Sequence, residues 1–155
     1  MKKSSLKIDL QNDESITALP GEDRFRGWVE STLQKSYTVL EQTIRIVGEA
    51  ESRSLNTQFR GKASATNVLS FPVDAEYLDY HCLGDLVICA PVVEAEAIAQ
   101  DKPVESHWAH MVVHGMLHLQ GFDHQGDAQT YTMETLEIKI LSTLGYSNPY
   151  NDALD

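Results

Sequence analysis

His114-Gly115-Met116-Leu117-His118-Leu119-Gln120-Gly121-Phe122-Asp123-His124 is the stretch from which the fold is read. Two histidines four residues apart stand one turn apart on the same face of a helix, so both imidazoles reach a single metal ion. Gly121 then permits a left-handed turn that a residue with a Cβ resists. The chain doubles back there and brings His124 toward the first two. Three protein ligands leave a fourth position for water, as in a catalytic zinc site rather than a closed structural one. Zinc lowers the pKa of its bound water to about 7, which supplies hydroxide at neutral pH. The expectation is one Zn²⁺ per chain, held by His114, His118 and His124 and used in hydrolysis.

The residues around this stretch qualify that reading. His110 lies one turn before His114 and could be a ligand. It reads better as a supporting or packing residue, because a third ligand from beyond a turn closes a tripod more easily than three in a row along one helix. His107 stands nearby without an assigned part, and His81, isolated in an expected loop, receives none. The spacing His-x-x-x-His-x-x-Gly-x-x-His is that of the metzincin proteases, which keep a Glu after the first His as general base. Here Gly115 stands in that place and has no side chain to take a proton. Peptide hydrolysis by that route is disfavoured. Asp123 and Asp85 are candidate helpers, each equally readable as a turn cap or a structural hydrogen-bonding group.

Outward from the histidines, apolar periodicity gives the remaining elements. A long helix over 105–120 carries the first two ligands, and a last helix over 127–144 shows Met133, Leu136, Ile140 and Leu144 on one face. Strands are expected at 6–10, 43–47, 66–72 and 84–89. Helices are expected after Pro20-Gly21 with Phe25, Trp28, Val29 and Leu33 facing the core, over 49–57, and from Pro91 to about Gln100. Residues 74–81 read as a loop. Helices and strands mix without regular alternation, which predicts an α+β fold. The expected architecture is one domain over 1–155, with a small mixed sheet of about four strands against about five helices and a zincin-like metal helix.

Composition sets the compartment and bounds the partners. With 42% hydrophobic and 23% charged residues, the chain has the profile of an ordinary globular domain. No apolar run approaches a membrane span, and Leu6-Lys7-Ile8-Asp9 is not a secretory core. A cytoplasmic location without membrane attachment is expected, with Cys82 and Cys89 as buried thiols. The net charge of −11 argues against nucleic acid, but it is uneven. Residues 1–62 hold ten basic groups against nine acidic ones, for +1, and residues 63–155 hold two against fourteen, for −12. Arg24, Arg26, Arg45, Arg53, Arg60 and Lys62 therefore read either as an unevenly charged surface or as an anion-binding face.

Three blocks in order make a family resemblance. The first is Leu55-Asn56-Thr57-Gln58-Phe59-Arg60-Gly61-Lys62 followed by Thr66-Asn67-Val68-Leu69-Ser70-Phe71-Pro72. The second is Leu83-Gly84-Asp85-Leu86-Val87-Ile88, and the third is His110 through His124, with the tail Leu144-Gly145-Tyr146 to Pro149-Tyr150. From about residue 43 onward the chain resembles the YbeY family of bacterial endoribonucleases. The resemblance implies a zinc-dependent, single-strand-specific RNase that matures the 3′ end of 16S rRNA and serves ribosome quality control. It implies His114, His118 and His124 as metal ligands and Arg60 as the required arginine; the acidity of the chain adds the expectation of a protein partner that delivers substrate, such as the ribosome or an associated GTPase. One departure stands out: Lys62-Ala63-Ser64-Ala65-Thr66-Asn67 replaces the family's Lys-Asp-x-Pro-Thr-Asn, which puts any role of that Asp in doubt. Two other readings share the ligands: a metalloprotease-like hydrolase, and a non-catalytic ribosome-assembly factor stabilised by zinc.

Overall fold

Alternating apolar and polar side chains build the sheet, and one helix apolar on nearly every side fills the space above it. The computed structural model describes residues 5–34, 39–73 and 82–150. Among these, four strands and five helices follow in the order β1 Ser5–Gln11, α1 Glu22–Thr32, β2 Val39–Val47, α2 Glu49–Arg60, β3 Val68–Pro72, β4 Cys82–Cys89, α3 Ala90–Ala99, α4 Val104–Leu119 and α5 Asp127–Thr143. The expected α+β class, with a small mixed sheet against helices, is the observed one. The strand order is β1-β2-β4-β3. β1 runs parallel to β2 and β2 to β4, while β3 pairs antiparallel with β4.

Strand alternation sends two sets of side chains to opposite faces. Leu40, Ile44 and Ile46 of β2 and Leu86 and Ile88 of β4 enter the main core with α1, α4 and α5. Val47, Leu69, Val87 and Cys89 form a smaller cluster on the other face, under Leu55 of α2. α4 packs against α1, α3, α5 and the sheet. That position explains why its residues from His107 to Val113 and from Gly115 to Leu117 are buried almost without interruption. Phe25 of α1 meets Trp108 of α4 edge-on at 5.8 Å, a favourable aromatic arrangement that fixes α1 on α4.

Several boundaries differ from expectation for identifiable reasons. β2 begins at Val39 rather than Thr43, because Gln42 sits fully buried with its amide donating to the Gly84 carbonyl at 3.0 Å. A polar residue in a buried strand hides the alternation. β3 begins at Val68, not Thr66, since the Asn67 side chain accepts from the Val68 amide at 2.6 Å and bends the entry. α2 extends three residues past the expected 57, to Arg60, and ends on Gly61 with φ 70°. Cys89 is buried as expected, whereas Cys82 is only half-buried, and both are free thiols. The expected loop at 74–81 and His81 lie outside the described residues.

Candidate metal centre

α4 stops where the histidine pattern requires it to stop. Gly121 takes φ 101°, and its amide donates to the His118 carbonyl at 3.0 Å while the Phe122 amide donates to Leu117 at 3.0 Å. This paired closure satisfies the last carbonyls of the helix and reverses the chain. Asp123 continues the turn, its Oδ1 accepting from the His124 amide at 2.7 Å. The reversal places the His124 ring 5.7 Å from that of His114 and 5.1 Å from that of His118, which are themselves 4.7 Å apart. One nitrogen from each of the three rings lies within 4.8 Å of the other two. Such a group could hold one metal ion.

A buried carboxylate braces this trio from behind. Glu137 of α5 is 0% exposed and uses both oxygens. Oε2 accepts from His114 Nδ1 at 2.7 Å, and Oε1 accepts from His110 Nε2 at 2.9 Å and from the Tyr150 hydroxyl. With Nδ1 engaged by the carboxylate, His114 keeps Nε2 as the nitrogen that could bind an ion, the arrangement found where an outer carboxylate fixes the tautomer of a metal-binding histidine. Burial pushes the Glu137 carboxyl up, but the hydrogen bonds from His110 and His114 outweigh it and hold the pKa at about 2. Burial also lowers the pKa of His118, which keeps the ring in the neutral form that binds metal. His110 is lowered by burial as well.

His110, His114 and Glu137 form a second close group that could hold an ion. Its members are spent on one another through hydrogen bonds and two of the three are buried, so this group reads as the support of the first. His107 is likewise committed, donating from Nε2 to Glu96 Oε1 at 2.8 Å. A larger cleft of about 910 Å³ lies beside His107, His110 and Tyr150 and holds none of the three histidines of the open site.

Position 115 faces away from the histidine cluster. A Cβ built on Gly115 would stand 2.7 Å from Leu86 Cδ2, 3.2 Å from Val68 Cγ2 and 3.3 Å from Ser70 Oγ. α4 lies so close to β3 and β4 here that Ser70 donates to the Gly115 carbonyl at 3.2 Å. The glycine is a packing requirement, and no protease-like Glu fits.

The three histidines open onto a cleft of about 580 Å³, and Arg60 and Phe59 from the last turn of α2 line its far wall. The first of the three blocks that carry the family resemblance builds that wall. Ser52 and the Thr66 backbone exchange hydrogen bonds at 2.9 Å in both directions, and Asn56 donates to the Ser64 carbonyl at 2.8 Å. α2 thus grips the backbone of residues 64–66, not side chains at 63 or 65, so the Ala63-Ser64-Ala65 departure leaves the wall in place. Asp123 lines the cleft, but Asp85 does not; it is exposed on β4 opposite Phe71.

The cationic residues divide. Arg24 pairs with Glu105 at 2.8 Å, Arg26 with Glu22 at 3.8 Å, and Arg45 with Glu51 and Asp13 at 2.6 and 3.0 Å. Arg53, Arg60 and Lys62 are exposed and make no ion pair with any described residue. Of the six cationic residues singled out in the sequence, the three without such a pair sit along α2 and its exit, and Arg60 lines the cleft. Glu137 and Tyr150 were not found from the sequence. The available signal was an acid at 137 on the face of Met133 and Ile140, where a buried carboxylate must find partners.

Fold and site together define a small α+β protein with a three-histidine centre in an open cleft. The profile of the family described as endoribonuclease YbeY matches residues 7–145, and the chain belongs to that family. A relative described as endoribonuclease YbeY, from Methylococcus capsulatus, is 56% identical over 139 residues, 89% of this chain and 91% of the relative. The solution structure of TM1509 from Thermotoga maritima matches in fold with a TM-score of 0.51 at 22% identity, over 94% of this chain and 99% of the other. No helix among the described residues is long and apolar enough to cross a membrane.

Proposed function

We propose that this chain is a zinc-dependent endoribonuclease that cleaves single-stranded RNA in maturation of the 16S rRNA 3′ end, with a part in ribosome quality control. The observation that carries it is one cleft holding three convergent histidines and an arginine with no ion pair of its own. Family membership supplies the RNA. His114, His118 and His124 hold the ion, one per chain. When bound, zinc supplies Lewis-acid stabilisation of phosphate charge or hydroxide at neutral pH.

The chain's own residues do the rest. The Arg60 guanidinium takes two phosphate oxygens through parallel hydrogen bonds and stabilises the charge that builds there. RNA carries its own nucleophile in the 2′-hydroxyl, so a Glu at position 115 is not required. Attack by that hydroxyl forms a bond to phosphorus and breaks the bond to the 5′-oxygen, which leaves with a proton from water. Asp123 is the carboxylate in the cleft that can take the hydroxyl's proton. A 2′,3′-cyclic phosphate or a 2′-phosphate end on the products would mark this route, whereas attack by water leaves a 3′-hydroxyl or a 3′-phosphate, depending on which bond breaks.

An acidic chain binds RNA poorly by charge alone, since phosphate contacts dominate such affinity. The ribosome and a ribosome-associated GTPase are the proposed partners that deliver substrate, in the cytoplasm, to one domain spanning 1–155. The test is Arg60→Ala, assayed on single-stranded RNA and on casein with and without chelator. The variant should keep its zinc and lose most RNA cleavage, and casein should stay intact throughout. Full RNA cleavage by the variant would remove Arg60 from the mechanism. Chelator-sensitive proteolysis would favour the peptidase reading.

A further inference from the structure

Phe59 is 57% exposed, although a phenyl ring gains by burial and the core lies within reach of its helix. Its position gives the exposure a use. The ring sits on the last turn of α2 next to Arg60, in the wall of the cleft that the three histidines close. Phe71 of β3 meets it edge-on, with centroids 5.1 Å apart and planes at 74°. The Phe71 contact steadies the ring while more than half of the residue stays exposed. Tyr131, which is also well exposed, stands on α5 outside this cleft.

Two polar side chains on the same wall are committed elsewhere. Ser70 donates to Gly115, and Asn67 accepts from Val68 and donates to Glu96. Few groups remain to read the edge of a base. A ring face remains, and every nucleobase has a π-face that stacks on one. Stacking also suits a chain of net charge −11, because it does not depend on attracting phosphate.

We propose that Phe59 is the platform of a nucleobase subsite: one unpaired base of the RNA stacks on its ring while the adjoining phosphate meets Arg60. The subsite gives the cleft a physical reason to choose single strands, since a base held in a duplex cannot be laid on a side chain. It is tolerant of sequence, because stacking and not edge recognition holds the base. The inference rests on the RNA-cleaving reading of the cleft.

The experiment measures binding of the zinc-loaded protein to short labelled single-stranded oligonucleotides carrying 2′-O-methyl groups, which resist cleavage, by fluorescence anisotropy. Phe59→Ala and Phe59→Leu should each weaken binding by roughly 5- to 150-fold, the worth of one stacked base. Phe59→Trp should restore it. An oligonucleotide with abasic sugars throughout should bind all four proteins alike. Melting temperatures should stay near wild type, because the ring is exposed. Wild-type binding by Phe59→Leu would overturn the subsite, and so would an equal loss on the abasic strand. A wild-type protein that binds no single strand would overturn the RNA reading itself, and the subsite with it.

Discussion

Replacing Glu137 by Gln should loosen the metal without unfolding the protein. The carboxylate receives three hydrogen bonds on two oxygens, with His114 on Oε2 and His110 and Tyr150 on Oε1. Glutamine has nearly the same shape but offers one oxygen and one amide nitrogen. Whichever way the amide turns, a donor then faces either His114 Nδ1 or the His110–Tyr150 pair. His114 loses its fixed tautomer in the first case and its partner's negative charge in both. Outer-shell changes of this kind cost about 10- to 100-fold in metal affinity, or about 1.4–2.8 kcal/mol. Glu137→Ala is a different perturbation, since it leaves His110 and Tyr150 facing a void. Leaving these buried polar groups without a partner should cost about 1–3 kcal/mol of stability for each. The assay is competition for zinc against a chromophoric chelator, with thermal unfolding of the metal-free proteins alongside. If Glu137→Gln binds zinc as tightly as wild type while His118→Ala does not bind it, the brace has no bearing on the metal and the reasoning is refuted.

Three further substitutions probe the same frame. Tyr150→Phe removes one of the three donors to Glu137, so zinc affinity should fall by only a few-fold and stability by about 1 kcal/mol, read by the same competition and melts. Gly115→Ala forces a Cβ to 2.7 Å from Leu86 Cδ2 and should destabilise by about 1–3 kcal/mol in urea titration. A wild-type midpoint would mean that α4 can lift from the sheet. Gly121→Ala places a side chain at φ 101°, which costs about 1–3 kcal/mol. It should also move His124, so zinc affinity should drop together with stability; an unchanged affinity would separate the turn from the ligand.

The residues that were legible in the sequence are those whose pattern is local. His114 and His118 share a helix face, and Gly121 marks the reversal, so three ligands could be proposed from eleven residues. The α+β class followed from periodicity in the same way. What stayed hidden depends on contacts across the chain. Glu137 is thirteen residues beyond His124 on another helix, and its part appears only when α5 packs on α4. The end of α2 lies three residues beyond the expected 57, where Gly61 takes φ 70° and its amide closes the last turn. Gly115 was read through its missing carboxylate, when its first consequence is the distance between α4 and the sheet. The charge pattern singled out the first half of the chain but could not say which arginines were already paired.

Zinc titrated stepwise into the metal-free protein, with cleavage of a single-stranded RNA followed at each step, tests the central claim most directly. Activity should rise in proportion to zinc, stop at one ion per chain, and be absent from His118→Ala at every step. RNA cleavage by the fully chelated protein, or by His118→Ala at the wild-type rate, would contradict the account.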